Sequence, residues 1–95
     1  MNWIEIISLR SSEKIREPLI SELMNPIAYD DKTSGLLMVK IYRNASIDTH
    51  VSIHLHWKSA RARQDGSVIG LHLAQALKEF GLVDHSFWVE EMRVK

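Results

Sequence analysis

The chain has no cysteine. That absence removes disulfides, thiolate metal sites and a cysteine nucleophile together, and it fits a reducing compartment. An excess of one charge is missing too. Twelve Lys and Arg balance twelve Asp and Glu, so no global field exists to hold a phosphate backbone, and nucleic acid is not an expected partner. Long apolar runs are also lacking. Glu5 interrupts the N-terminal apolar stretch and Arg10 directly follows it, which matches neither a signal-peptide core nor a spanning helix. No membrane partner is expected, and a cytoplasmic location is the default expectation. What remains is 95 residues, 45% hydrophobic and 25% charged, the composition of one globular domain over residues 1–95. A chain of this length buries only roughly 60 to 70% of the surface its unfolded form exposes, so a further interface is a natural source of stability.

The most informative stretch runs from Asp48 to Trp57 and alternates without a break. Successive side chains of a strand point to opposite faces, so Val51, Ile53, Leu55 and Trp57 share one side while His50, Ser52, His54 and His56 share the other. The first set is a core face. The second presents three imidazoles, which suit metal ligation, proton transfer or half-buried polar surface, and no complete catalytic signature elsewhere chooses among these.

Around this strand the chain reads as six elements. Trp3–Leu9 is a β-branched run and a first strand. Ser11 or Ser12 can cap a helix in which Ile15, Leu19, Leu23 and Ile27 recur every four residues, flanked by Ile20 and Met24. Pro18 either kinks that helix or marks its regular start near Glu17, and Asn25-Pro26 signals its end. Asp30–Gly35 reads as a loop and not an ion site, because no regularly spaced ligand oxygens follow. Leu36–Arg43 is the second strand, and Asn44–Ile47 is a connection short enough for a hairpin into the histidine strand. Asn44-Ala45-Ser46 fits a glycosylation acceptor but reads as a turn. Ser67 caps a second helix with Ile69, Leu73, Ala76, Leu77 and Phe80 as its stripe, and Gly81 is the expected stop. Phe87–Val94 is the expected last strand, with His85 in the loop before it.

Strand, helix, strand, strand, helix, strand is the split βαβ order of an α+β, ferredoxin-like βαββαβ domain: a four-stranded antiparallel sheet with two helices on one face. The uncovered face would then hold Met38, Tyr42, His54, His56 and either Trp88 or Phe87, a surface too aromatic to stay wet.

His54-Leu55-His56-Trp57-Lys58-Ser59, a short basic segment and a Ser-initiated amphipathic helix resemble the antibiotic-biosynthesis-monooxygenase-like proteins of the dimeric α+β-barrel superfamily. The resemblance covers nearly the whole chain in element order. It implies a homodimer, two sheets packed face to face, and a small organic ligand held between helices and sheet or at the barrel. Members include cofactor-independent oxygenases of aromatic polyketides, in which a base deprotonates an aromatic hydroxyl before oxygen is met. On that reading His54 and His56 are the catalytic candidates and Tyr42, Trp57, His72 and Trp88 line the ligand. Haem-degrading members carry an asparagine on the first strand, a tryptophan ending the third and a histidine on the second helix. Trp57 matches and His72 lies on the right helix, but Asn2 sits only at the strand's edge and the spacing from Ser67 to His72 departs from the pattern, so no haem or other cofactor is expected.

Cα atoms two apart on a strand lie about 6 to 7 Å from one another, close enough for His54 and His56 to converge on one ion with help from Glu5, His85, Glu90 or Glu91. Structural or interfacial histidines are the preferred reading and no metal is expected. Lys58, Arg61 and Arg63 form a local basic cluster without a phosphate-cradling glycine loop and read as solvated. RNA-recognition domains share the element order, but strand three here has histidines where those domains expose aromatics. Two functions follow as expectations: a homodimer binding an apolar or aromatic small molecule, with monooxygenase-like chemistry implied by the resemblance, or a dimerising module without catalysis.

Overall fold

The computed structural model describes residues 2–29, 35–58 and 66–95, with the backbone alone at positions 24–29. Six elements follow one another: β1 (Asn2–Ser11), α1 (Glu17–Tyr29), β2 (Leu36–Arg43), β3 (His50–Lys58), α2 (Val68–Leu77) and β4 (Gly81–Val89). The strands form one sheet in the order β2-β3-β1-β4, and every neighbouring pair is antiparallel. With both helices on one face this is the ferredoxin-like α+β fold expected from the sequence.

Alternation decides which side is core. Trp3, Ile7 and Leu9 of β1 and Val51, Ile53, Leu55 and Trp57 of β3 are all buried, beneath Leu73, Ala74 and Leu77 of α2 and next to Ile15. Leu19, Ile20 and Leu23 of α1 pack against this cluster. Trp3 and Trp57 stack across the β1–β3 ladder with ring centroids 5.5 Å apart. At the far end the Arg43 guanidinium donates to the carbonyls of Asp48 and Ile15, tying the hairpin to the segment before α1. The Asn44 side chain accepts from the Ser46 and Ile47 amides and so builds the expected turn.

Several boundaries differ from the sequence reading, each for a physical reason. β4 spans Gly81–Val89, not Phe87–Val94, because pairing with β1 from Ser11↔Gly81 to Trp3↔Val89 sets its length. Residues beyond Val89 outrun that ladder apart from one bond, from the Glu90 amide to the Asn2 carbonyl. His85 therefore lies in mid-strand opposite Ile7 and not in a loop. Gly81 is no helix stop: α2 ends at Leu77, and Gly81 opens β4 where a Cβ would overlap the Arg10 carbonyl. Leu82 is exposed on the other side of the sheet. α1 starts at Glu17, as one reading of Pro18 anticipated, but its backbone stays helical through Asn25-Pro26 to Tyr29. In β2 an irregularity between Leu36 and Met38 turns Leu36 toward the core and leaves Leu37 exposed. The Asp30–Ser34 part of the expected loop and the Arg61 and Arg63 cluster lie outside the described residues, as do the side chains of Met24 and Ile27.

Candidate functional site

Two constellations of polar chemistry occupy opposite faces of the sheet. On the open face, β3 places the His54 and His56 rings 6.5 Å apart between centroids. Tyr42 of β2 lies against His54 at 4.6 Å, and Ser52 Oγ is 2.9 Å from His54 Nε2. Lys40 is paired with His54 across the β2–β3 ladder. Both imidazoles are held below their ordinary pKa of 6.5. For His54 desolvation is the leading cause, followed by the neighbouring His56 and Lys40; for His56 it is desolvation and then Lys40. Their neutral forms are thus favoured near pH 7.

Between 6.5 and the lower folded values the unfolded chain binds more protons than the folded one, so stability is full above pH 6.5 and is lost as pH falls through the folded values. A His54→Gln, His56→Gln double variant should show a flatter dependence of the urea midpoint between about pH 7.5 and about pH 5.5 than the parent protein. Equal slopes would remove the pair as the source.

At one end of this face is a cavity of about 430 Å³, bounded by Ile4, Met38, His56, Trp57, Trp88 and Val89, with Asn2, Glu90 and Arg93 at its polar side. His56 Nε2 is buried and has no hydrogen-bond partner among the described residues. A buried ring nitrogen left unpaired costs free energy of order 1–3 kcal/mol unless a bound group engages it. Asn2 Nδ2 donates to Glu90 at 3.1 Å, and Glu90 also lies 3.9 Å from the Arg93 guanidinium.

The second constellation lies under α2. Glu5 of β1 is completely buried. Its Oε1 accepts from Trp57 Nε1 at 3.2 Å and from the Ser67 hydroxyl at 2.7 Å, while Oε2 accepts from the Ser67 amide at 3.2 Å and sits 2.5 Å from His85 Nε2. Ser67 also caps α2 by accepting from the Gly70 amide at 2.9 Å. Two glycines make room for the carboxylate. A Cβ at position 70 would overlap it, and Gly66, at φ +95°, brings the backbone over both the carboxylate and the His85 ring.

The sequence-derived candidates therefore separate. His54, His56 and Tyr42 share the open face, and Trp88 joins them there at the cavity, 58% exposed with its indole N–H on Ser86. Trp57 points mainly the other way, buried against Trp3 and donating to Glu5, and reaches the cavity only at the sheet's end. His72 is exposed on α2 and joins neither group. Among the described residues no cluster of three or more His, Asp or Glu side chains has the geometry of a metal site, and no described helix is long and apolar enough to cross a membrane. Sequence reasoning named Glu5 and His85 only as distant ligand candidates. The available signal was an acid at a core-facing position of an apolar strand.

The fold thus defines a ferredoxin-like α+β protein. A solved structure titled "Structure of Rv0793 from Mycobacterium tuberculosis" is similar to it at TM-score 0.65 over 100% of both chains, with 15% identity. At that identity the likeness shows the fold alone. No family model matches the chain, and no curated protein matches it.

Proposed function

We propose that the chain works as a homodimer in which the open sheet faces cover one another, and that an apolar or aromatic small molecule binds at the end of this face beside His56. The observation that favours binding is the buried His56 Nε2, without a partner among the described residues, on a cavity otherwise bounded largely by Ile4, Met38, Trp57 and Trp88. Four strands about 4.8 Å apart and some nine residues long make a footprint of roughly 600 Å², near the roughly 800 Å² that each partner contributes to a standard interface. Met38, Tyr42, Trp88 and Leu82 are exposed on it, which suits coverage by a like surface. The resemblance to monooxygenase-like proteins extends the proposal one step: a phenol or enol bound here would give up its proton to His56 Nε2 before reacting with oxygen.

Light scattering at micromolar concentration should return twice the 11.0 kDa of the chain; a particle of one chain's mass would remove the dimer. For the ligand, 1-naphthol titrated into the protein should quench the tryptophan emission saturably, and His56→Phe, which fills the space and deletes the nitrogen, should weaken that binding at least about tenfold. A saturable response unchanged by His56→Phe would place the ligand elsewhere. No response from a confirmed dimer would favour the dimerising module without catalysis.

A further inference from the structure

We infer that His85, oriented by the buried Glu5 carboxylate, is a proton-transfer site for a small hydroxyl-bearing molecule reaching the margin between β4 and the N-terminal end of α2. This inference goes beyond the binding proposal and does not rest on it, because the dyad lies on the helix-covered side of the sheet.

The first support is the carboxylate itself. If packing alone mattered, an apolar side chain at position 5 would serve the core as well or better, since a buried acid repays its desolvation only when its lone pairs are filled. Here they are filled by two donors from Ser67, one from Trp57 and the His85 ring. Space is reserved for the group by Gly66 and Gly70. The chain thus holds one acid in one place with contributions from β1, β3, β4 and the start of α2.

The second support is the direction of the imidazole. Glu5 accepts through Oε2, and Trp57 and Ser67 are donors to the same carboxylate, so the His85 contact is satisfied by a proton on Nε2. That tautomer leaves the lone pair on Nδ1 to accept a proton while the Nε2–H stays on the carboxylate. His85 is the member of the pair with access: its side chain is 16% exposed while that of Glu5 is 0% exposed. Among the described residues β4 is an edge strand of the sheet. The Phe87 ring stands 4.6 Å from the imidazole and offers an apolar wall. In the step itself, the substrate hydroxyl gives its proton to Nδ1, its oxygen keeps the electron pair, and the proton returns to product or water from the imidazolium; nothing is oxidised or reduced.

Diethyl pyrocarbonate, an electrophile captured by an unprotonated imidazole nitrogen, tests the idea without a known substrate, together with ¹⁵N NMR of the histidine rings. In the folded protein His85 should show the Nε2–H tautomer and be carbethoxylated, as should the exposed His72. Read as the pH-independent plateau rate at alkaline pH, where the protonated fraction no longer matters, labelling of His85 should slow several-fold in Glu5→Gln while that of His72 is unchanged. An Nδ1–H tautomer, protection of His85 until the chain unfolds, or a rate indifferent to Glu5→Gln in a folded variant would overturn the inference. Should Glu5→Gln fail to fold, the tautomer and labelling of the unsubstituted protein decide by themselves.

Discussion

Glu5→Ala should cost about 3–5 kcal/mol of folding stability, the range for breaking a buried charged network by removing one partner. The loss comes from what is stranded: the Trp57 indole N–H, the Ser67 hydroxyl and amide, and the His85 ring all converge on this carboxylate. Each stranded buried donor costs of order 1–3 kcal/mol. Because small domains are stable by only about 5–15 kcal/mol in total, urea unfolding should show a much lower midpoint. Thermal melts should lose part of their cooperativity as α2 loosens from the sheet. A change within about 1 kcal/mol would mean that water replaces the carboxylate with little loss.

Gly70→Ala should also destabilise, against the usual sign. In an ordinary helix interior that substitution gains up to about 1 kcal/mol. Gly70 lies in α2 directly over Glu5, where a Cβ would overlap both carboxylate oxygens and the carbon between them. Glu5 is fixed by four contacts and has no free rotamer to retreat into, so the expected cost is about 1–3 kcal/mol from overpacking and more if a hydrogen bond breaks. The pair makes a test by double-mutant cycle. In a Glu5→Ala background the obstacle is gone, and Gly70→Ala should become neutral or stabilising. If alanine at 70 costs the same with and without Glu5, the helix and not the carboxylate sets the price of that position.

The fold was legible in the sequence because its dominant signals are periodic. The unbroken alternation of β3 assigns Val51, Ile53, Leu55 and Trp57 to the core, and all four are buried there. The limits of β4 were not legible. Phe87 to Val94 alternates as well as any strand, but the ladder is set by where β1 runs, and β1 reaches only from Ser11 to Trp3 along it. That partner is some eighty positions away in the chain. The open-face candidates could be read from parity, since His54, His56 and Tyr42 share a side by counting alone. The Glu5 network could not. Its members come from β1, β3, β4 and the residue before α2, so no local spacing links them. The acid at position 5 is instead a break in the apolar pattern of a buried strand, and such breaks mark places where the local rule yields to a site.

The central position of β1 governs how the molecule can be made. Its two neighbours are β3 and β4, supplied by residues 50–58 and 81–89, so the strand that comes first in this sheet's chain order is the last to have both its edges satisfied. During translation β1 keeps one edge unpaired until residue 89 has cleared the ribosome. Such late closure of long loops slows folding relative to a helical bundle of equal size, and it exposes the nascent strand to chaperones or to neighbouring chains in the interval.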